Sequence, residues 1–183
     1  MKRLFVVHGW SGSSQEPMIH WLGEKGKELG YETTVLEMPN ASVPTIGAWT
    51  AYLDELVMYV DENTDFIGHS IGCQAILRYL ASQKGSRVGK VVLIAPWTEL
   101  TPRETVEETD IARPWIENPI DFASIRSMGG NFAAIFSDND ADVPLEPNKS
   151  WVEKNLNAKT IVETGKGHFT EEDGVRELPS AFL

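Results

Sequence analysis

The sequence predicts an α/β fold in which about six mostly parallel strands carry helices on both faces. Three observations predict it. Short apolar runs alternate with longer segments of helical periodicity along the whole chain. The apolar runs are continuous rather than alternating, as strands buried on both faces of a parallel sheet require. One of these runs passes straight into a helix through Gly68-His69-Ser70-Ile71-Gly72. Open α/β sheets place such strand–turn–helix junctions at the edge where they bind ligands.

Residues 4–7 read as a buried strand that enters a loop at His8-Gly9. Residues 19–29 set Ile19, Leu22 and Leu29 on a helical period, and residues 33–36 form the next strand, closed by Met38-Pro39-Asn40. Residues 45–60 place Trp49, Leu53, Leu56 and Val60 at helical spacing, which predicts a long amphipathic helix. Residues 65–67 are the third strand and 73–81 the helix behind the glycine-flanked serine. A fourth strand spans 91–95 and stops at Pro96, and a fifth spans 132–136. Residues 151–156 belong to a helix and 160–162 to a sixth strand. Residues 97–119 break the rhythm with Pro102, Pro114, Pro119 and the acids Glu104, Glu107, Glu108 and Asp110. Such a segment is too long and polar for an ordinary connection. It is either a small cover over the functional edge or an irregular solvated excursion. There is no internal repeat, and 183 residues favour one domain spanning 1–183.

Hydrophobic content of 42% with 23% charged residues is that of an ordinary globular protein. The net charge of -11 repels phosphate backbones and anionic lipid. The expected partner is therefore a small molecule, with neither nucleic acid nor membrane. Cys73 is the one cysteine, so an internal disulfide and a cysteine-based zinc site are excluded. Its place in the first turn of a helix could lower a thiol pKa, but packing is the reading preferred. The apolar run at the N-terminus is too short for a secretory signal, and no stretch is long enough to span a bilayer. A cytoplasmic location is expected, and the oligomeric state is left open.

The G-x-S-x-G box is the form of a nucleophile elbow. Its glycines keep Cβ atoms out of a crowded bend, and Ser70 then stands above a helix N-terminus that favours negative charge. A serine hydroxyl needs a base, and the base needs an orienting acid. In this fold type they follow in the order Ser, Asp or Glu, His. Of the four histidines, His69 is held on the turn itself, His20 lies in a helix, and His8 follows the first strand in a structural or oxyanion-loop position. His168, in Gly165-Lys166-Gly167-His168-Phe169 after the last strand, is the candidate base. The acid falls in the loop after the fifth strand, where Asp140 and Asp138 both remain open. Asp138, Asp140 and Asp142 are spaced like the start of a calcium loop. Val143 and Lys149 occupy the positions where such a loop needs Gly and Glu, so no metal is expected, and no cofactor. The oxyanion donors are expected from the amides of Ile71 and Trp10. Trp97 and Trp115 are candidate walls of an apolar substrate pocket, with core packing as the alternative. Thr170 is expected to cap a helix carrying Glu171, Glu172 and Asp173 in its first turn.

These residues carry a resemblance. His8-Gly9-Trp10 with Ser13, Gly68-His69-Ser70-Ile71-Gly72, Arg113-Pro114-Trp115, residues 137–144 and Gly167-His168-Phe169 follow in order over nearly the whole chain. In this the chain resembles the small serine-hydrolase family of retinoblastoma-binding protein 9, within the α/β-hydrolase superfamily. The resemblance implies a compact hydrolase with little or no lid and a Ser70–Asp140–His168 triad, and it is what selects Asp140 over Asp138. The pocket-binding Leu-x-Cys-Glu-type motif of the human member is absent, since Cys73 sits between Ile71-Gly72 and Gln74-Ala75. No retinoblastoma partner is expected. The function expected is cleavage of a small ester, thioester or amide through an acyl-enzyme. Carboxylesterase-like action leads, with aminopeptidase-like amide hydrolysis and acyl transfer as variants. The rival is a weakly catalytic or non-catalytic protein-binding module on the same fold.

Overall fold

The computed structural model describes residues 1–183. Its strands are β1 (Arg3–Val7), β2 (Glu32–Leu36), β3 (Thr64–His69), β4 (Lys90–Ile94), β5 (Asn131–Ser137) and β6 (Lys159–Glu163). Its helices are α1 (Pro17–Glu28), α2 (Ile46–Val57), α3 (Ile71–Ser82), α4 (Val106–Glu117), α5 (Phe122–Ser127) and α6 (Leu145–Leu156), with a 3-10 turn at Pro179–Phe182. The strands form one sheet in the order β2-β1-β3-β4-β5-β6, and every pair is parallel. Val7 lies level with Gly68, His69 with Ile94, and Ser137 with Glu163. The loops after β1, β3, β4, β5 and β6 therefore all emerge at one edge of the sheet.

Successive side chains of β1, β3, β4 and β5 enter opposite cores. Phe5, Val7, Phe66, Leu93 and Phe136 join the larger core beneath α2, α3, α5 and α6, to which α4 adds Trp115. Leu4, Val6, Ile67, Val92 and Ile135 join the smaller core. That core is closed by Met18, Ile19 and Leu22 of α1 and by Phe169, Val175, Leu178 and Ala181 from the end of the chain. Each fully buried side chain of this size contributes about 1.5–3 kcal/mol. The continuous apolar strand runs are thus explained by demand from both sides.

Several elements differ from expectation. α2 ends at Val57, because Met58 takes a left-handed φ of 62° and turns the chain out of the helix. Its buried stripe is Trp49, Leu53 and Val57, leaving Leu56 36% exposed at the margin. Leu29 lies beyond the end of α1 and is exposed. Residues 97–119 contain an ordered helix, α4. Thr105 and Glu108 form a reciprocal capping box at its start, and Ala112 and Trp115 are buried. Pro114 stands inside this helix, near its C-terminal end. No helix starts at Thr170, where the chain continues as turns, so Thr170 caps none; Asp173 is used differently, as described below. No helix is long and apolar enough to cross a membrane.

Candidate active site

Ser70 joins β3 to α3 with φ 53° and ψ -121°. A non-glycine residue held in such a region costs about 1–3 kcal/mol, so its surroundings must over-determine it. Here the Ser70 amide donates to the Ile94 carbonyl (2.8 Å), and the Ser70 carbonyl accepts from the Cys73 amide (3.0 Å). Gly72 lets the turn press against the end of β1. A Cβ there would lie 2.6 Å from the His8 carbonyl oxygen. Cys73 is fully buried, its thiol directed at the Gly68 and Ile94 carbonyls. Burial pushes this thiol's pKa up, which fits the packing role and not a reactive one.

His168 reaches the same point from the loop after β6. Its Nε2 lies 3.0 Å from Ser70 Oγ, and its Nδ1 lies 2.8 Å from Asp140 Oδ2. A proton on Nδ1, donated to the carboxylate, leaves Nε2 free to accept the serine O–H. The other Asp140 oxygen accepts the amides of Asp142 (2.8 Å) and Val143 (3.0 Å). The structure thus brings Ser70, His168 and Asp140 together. Asp138 goes elsewhere, accepting the Gly165 amide at 2.8 Å. Asp142 pairs with Arg103 at 2.9 Å. Asp140, Asp142 and His168 offer a metal-like cluster within 4.8 Å. Both Asp140 oxygens, Asp142 Oδ1 and His168 Nδ1 already have partners from the chain.

Side chains hold the loop around His168. Ser137 Oγ accepts the Lys166 amide (2.9 Å) and Asn139 Oδ1 the Gly167 amide (2.8 Å). Asp173 Oδ2 accepts the amides of His168 (2.9 Å) and Thr170 (3.1 Å) and the Thr170 hydroxyl (2.7 Å). Burial raises the Asp173 carboxyl, but the hydrogen bonds from Thr170 and His168 outweigh it and hold it below the usual carboxylate range. Gly167 has φ 51°, and a Cβ there would meet Asp173 Oδ1 at 2.0 Å, so only glycine fits this turn. His69 points away from its neighbour's hydroxyl and donates from Nε2 to the His168 carbonyl (2.8 Å). Burial, reinforced by the charge of His168, lowers its pKa to about 3. The ring is neutral, and its Nδ1 has no partner.

The loop after β1 forms the opposite wall. His8 is buried; its Nδ1 donates to the Gly9 carbonyl (2.8 Å) and its Nε2 accepts the Met38 amide (2.9 Å). It ties the loops after β1 and β2 together. Trp10 follows on the same loop and, with Ser70 and Trp97, lines a cleft of about 710 Å³. Ile71 is the first residue of α3 and is buried. Glu107, Glu108 and Ile111 from α4, and Arg103 and Thr105 just before it, also reach the cleft, so this helix stands over the edge. Glu16 and Glu172 lie there too, and burial raises the Glu16 carboxyl. Trp115 does not reach this cleft. Its indole donates to the Pro44 carbonyl (3.2 Å) and packs edge-on against Trp49, facing a neighbouring groove. Sequence reasoning missed Ser137, Asn139, Asp173 and His69 as supports of the loop. The cluster of short polar residues at 137–140 was the one available signal, since such side chains bond nearby amides.

A parallel sheet covered on both faces, with a serine on the strand–helix turn at its C-terminal edge, defines the α/β-hydrolase fold. The chain belongs to the serine hydrolase family, whose model matches residues 4–183. It is 30% identical to YdeN of Bacillus subtilis (strain 168), over 99% of this chain and 93% of that protein. The crystal structure of the ydeN gene product superimposes with a TM-score of 0.88, covering 100% of this chain and 95% of that one at 25% identity. The rat serine hydrolase RBBP9 is 26% identical over 90% of this chain and 80% of its own length. Est1E from Butyrivibrio proteoclasticus shares the fold, with a TM-score of 0.72 at 18% identity over 91% of this chain and 79% of that one. The protein is a hydrolase of this family.

Proposed function

We propose that the protein cleaves a small ester, thioester or amide through an acyl-enzyme formed on Ser70. His168 takes the serine proton at Nε2 as Oγ bonds to the substrate carbonyl carbon, and then delivers it to the leaving group. Asp140 holds the imidazole in the Nδ1–H tautomer and stabilises the imidazolium. The amides of Ile71 and Trp10 receive the oxyanion. Water, deprotonated by the same imidazole, then releases the acyl group as a carboxylic acid. Carboxylesterase-type substrates are favoured, with aminopeptidase-type amides the variant to be tested.

The observation that supports this reading is the unbroken contact from Ser70 Oγ through the His168 ring to Asp140, with separations of 3.0 and 2.8 Å. A fluorophosphonate probe tests it. Labelling of the wild type is expected, together with turnover of short-chain p-nitrophenyl esters. Ser70→Ala is expected to abolish labelling and to lower kcat/KM by about 10⁴-fold or more. Folded wild-type protein that takes up no probe would overturn the reading. A parallel panel of aminoacyl amides separates amidase from esterase action.

A further inference from the structure

Ser70 Oγ has a second neighbour besides His168. The indole Nε1 of Trp97 donates to it at 3.3 Å. Trp97 is 1% exposed, so its N–H has been taken out of water and must find an acceptor inside the protein. The acceptor it finds is the reacting oxygen. The main chain that carries the indole is also fixed. The Trp97 carbonyl accepts from Gln74 Nε2 (2.8 Å), a buried amide on α3, the helix that follows Ser70. The next two amides, of Thr98 and Glu99, donate to Asn148 Oδ1 at 2.8 and 3.0 Å. Asn148 is itself fully buried on α6. Two buried side-chain amides thus hold the start of the loop after β4.

We infer that Trp97 is a catalytic residue whose indole N–H stabilises negative charge on Ser70 Oγ, and that it acts chiefly in deacylation. The inference rests on Ser70 being the nucleophile. An indole nitrogen is a donor only and keeps its proton throughout. In the free enzyme it donates to a neutral hydroxyl. In the acyl-enzyme Oγ is an ester oxygen, a poorer acceptor, so the contact is weakest there. During deacylation the bond from water oxygen to the acyl carbon forms and the Oγ–carbon bond breaks. The proton of water passes to His168 Nε2 and then to Oγ. Oγ departs with the electron pair of the broken bond before that proton arrives, and the contact becomes charge-assisted. The gain from acyl-enzyme to transition state therefore exceeds the gain from free hydroxyl to the transition state of acylation.

The test replaces the N–H and keeps the shape. β-(3-Benzothienyl)alanine at position 97 puts sulfur where the indole has N–H, and Trp97→Phe is a second variant made by ordinary mutagenesis. With p-nitrophenyl acetate, the release burst reads acylation, the steady state reads deacylation, and intact-protein mass spectrometry reads the acylated fraction. The expected result for the benzothienyl protein is a deacylation rate about 10- to 100-fold lower. kcat and KM fall together, kcat/KM changes less, and acetylated Ser70 accumulates. Trp97→Phe should shift in the same direction. Equal deacylation in the benzothienyl and wild-type proteins overturns the inference, as does an equal loss in both steps, which would mark a packing role. A wild type never acetylated at Ser70 would overturn the proposed function, and this inference with it.

Discussion

Ser70 and His168 stand 98 residues apart in the chain and meet at 3.0 Å, yet they are held there by opposite means. Ser70 is set by backbone alone: β3 before it, α3 after it, and main-chain bonds to Ile94 and Cys73. His168 sits on a loop with no helix or strand of its own. Its position comes from Ser137, Asp138, Asn139 and Asp173, each accepting a backbone amide, and from His69 gripping its carbonyl. A hydrogen bond of this kind contributes about 0.5–1.5 kcal/mol, while fixing the backbone of one residue costs about 1–2 kcal/mol. The loop has about one such bond for every residue it orders, and the burial of Phe169 in the smaller core adds to them. The Ser70 side is held by regular structure; the His168 side is held by a set of side-chain bonds and by the buried ring of Phe169.

The sharpest way to break the imidazole's side is Asp140→Asn, which leaves the shape but removes the acceptor that selects the Nδ1–H tautomer. We expect kcat for p-nitrophenyl acetate to fall about 10⁴-fold. Asp138→Asn, two residues away, should leave kcat within a few-fold, because an asparagine Oδ1 still accepts the Gly165 amide and the carboxylate does not touch the ring. Comparable losses in the two variants would show that the acid has been misassigned. A middle-sized effect is expected from Asp173→Ala, which leaves the His168 and Thr170 amides without an acceptor. Displacing the ring by a fraction of an ångström should lower kcat about 10- to 100-fold. Faster amide hydrogen exchange confined to the residues from Gly165 to Thr170 would accompany it. Unchanged exchange would mean that the loop is held by something other than Asp173.

The smallest effect concerns pH and stability. Folding keeps the His69 ring neutral down to about pH 3, whereas in the unfolded chain it takes a proton below about pH 6.5. Its contribution is thus fully present above about pH 6.5 and is lost as pH falls from there towards 3. His69→Gln removes this titration while keeping an amide donor for the His168 carbonyl. Between pH 7 and pH 5, urea unfolding of the wild type should lose about 2 kcal/mol more than that of the variant. Parallel stability curves would overturn the assignment of His69 as a buried neutral ring.

The same contrast explains what could be read from the chain. The strands, the parallel sheet and the Ser70 turn were legible because they follow from local residue order: apolar runs bounded by glycine, proline and short polar residues. α4 was obscured by Pro114, which ordinarily ends a helix; the capping box and the burial of Trp115 prevailed over it. α5 is only six residues long and carries too little periodicity to detect. Asp138 and Asp140 are chemically identical on paper. Which of them meets the ring depends on the amide bonds that curl the loop, and the choice of Asp140 rested on family resemblance. Trp115 was expected at the substrate because a tryptophan suits a pocket and a core equally well. Its partner is the Pro44 carbonyl, 71 residues away, a pairing that no local pattern encodes. Thr170 and its acids have the form of a helix cap, and Asp173 does fold back on the amides a cap would satisfy, but the chain continues as turns.

The left-handed bend at Ser70 has an evolutionary corollary. Glycine would relax that bend at no steric cost, so a lineage selected only for durability would drift towards losing the hydroxyl. Under the proposed chemistry, the discomfort of that conformation is the cost to the polypeptide of presenting a hydroxyl there.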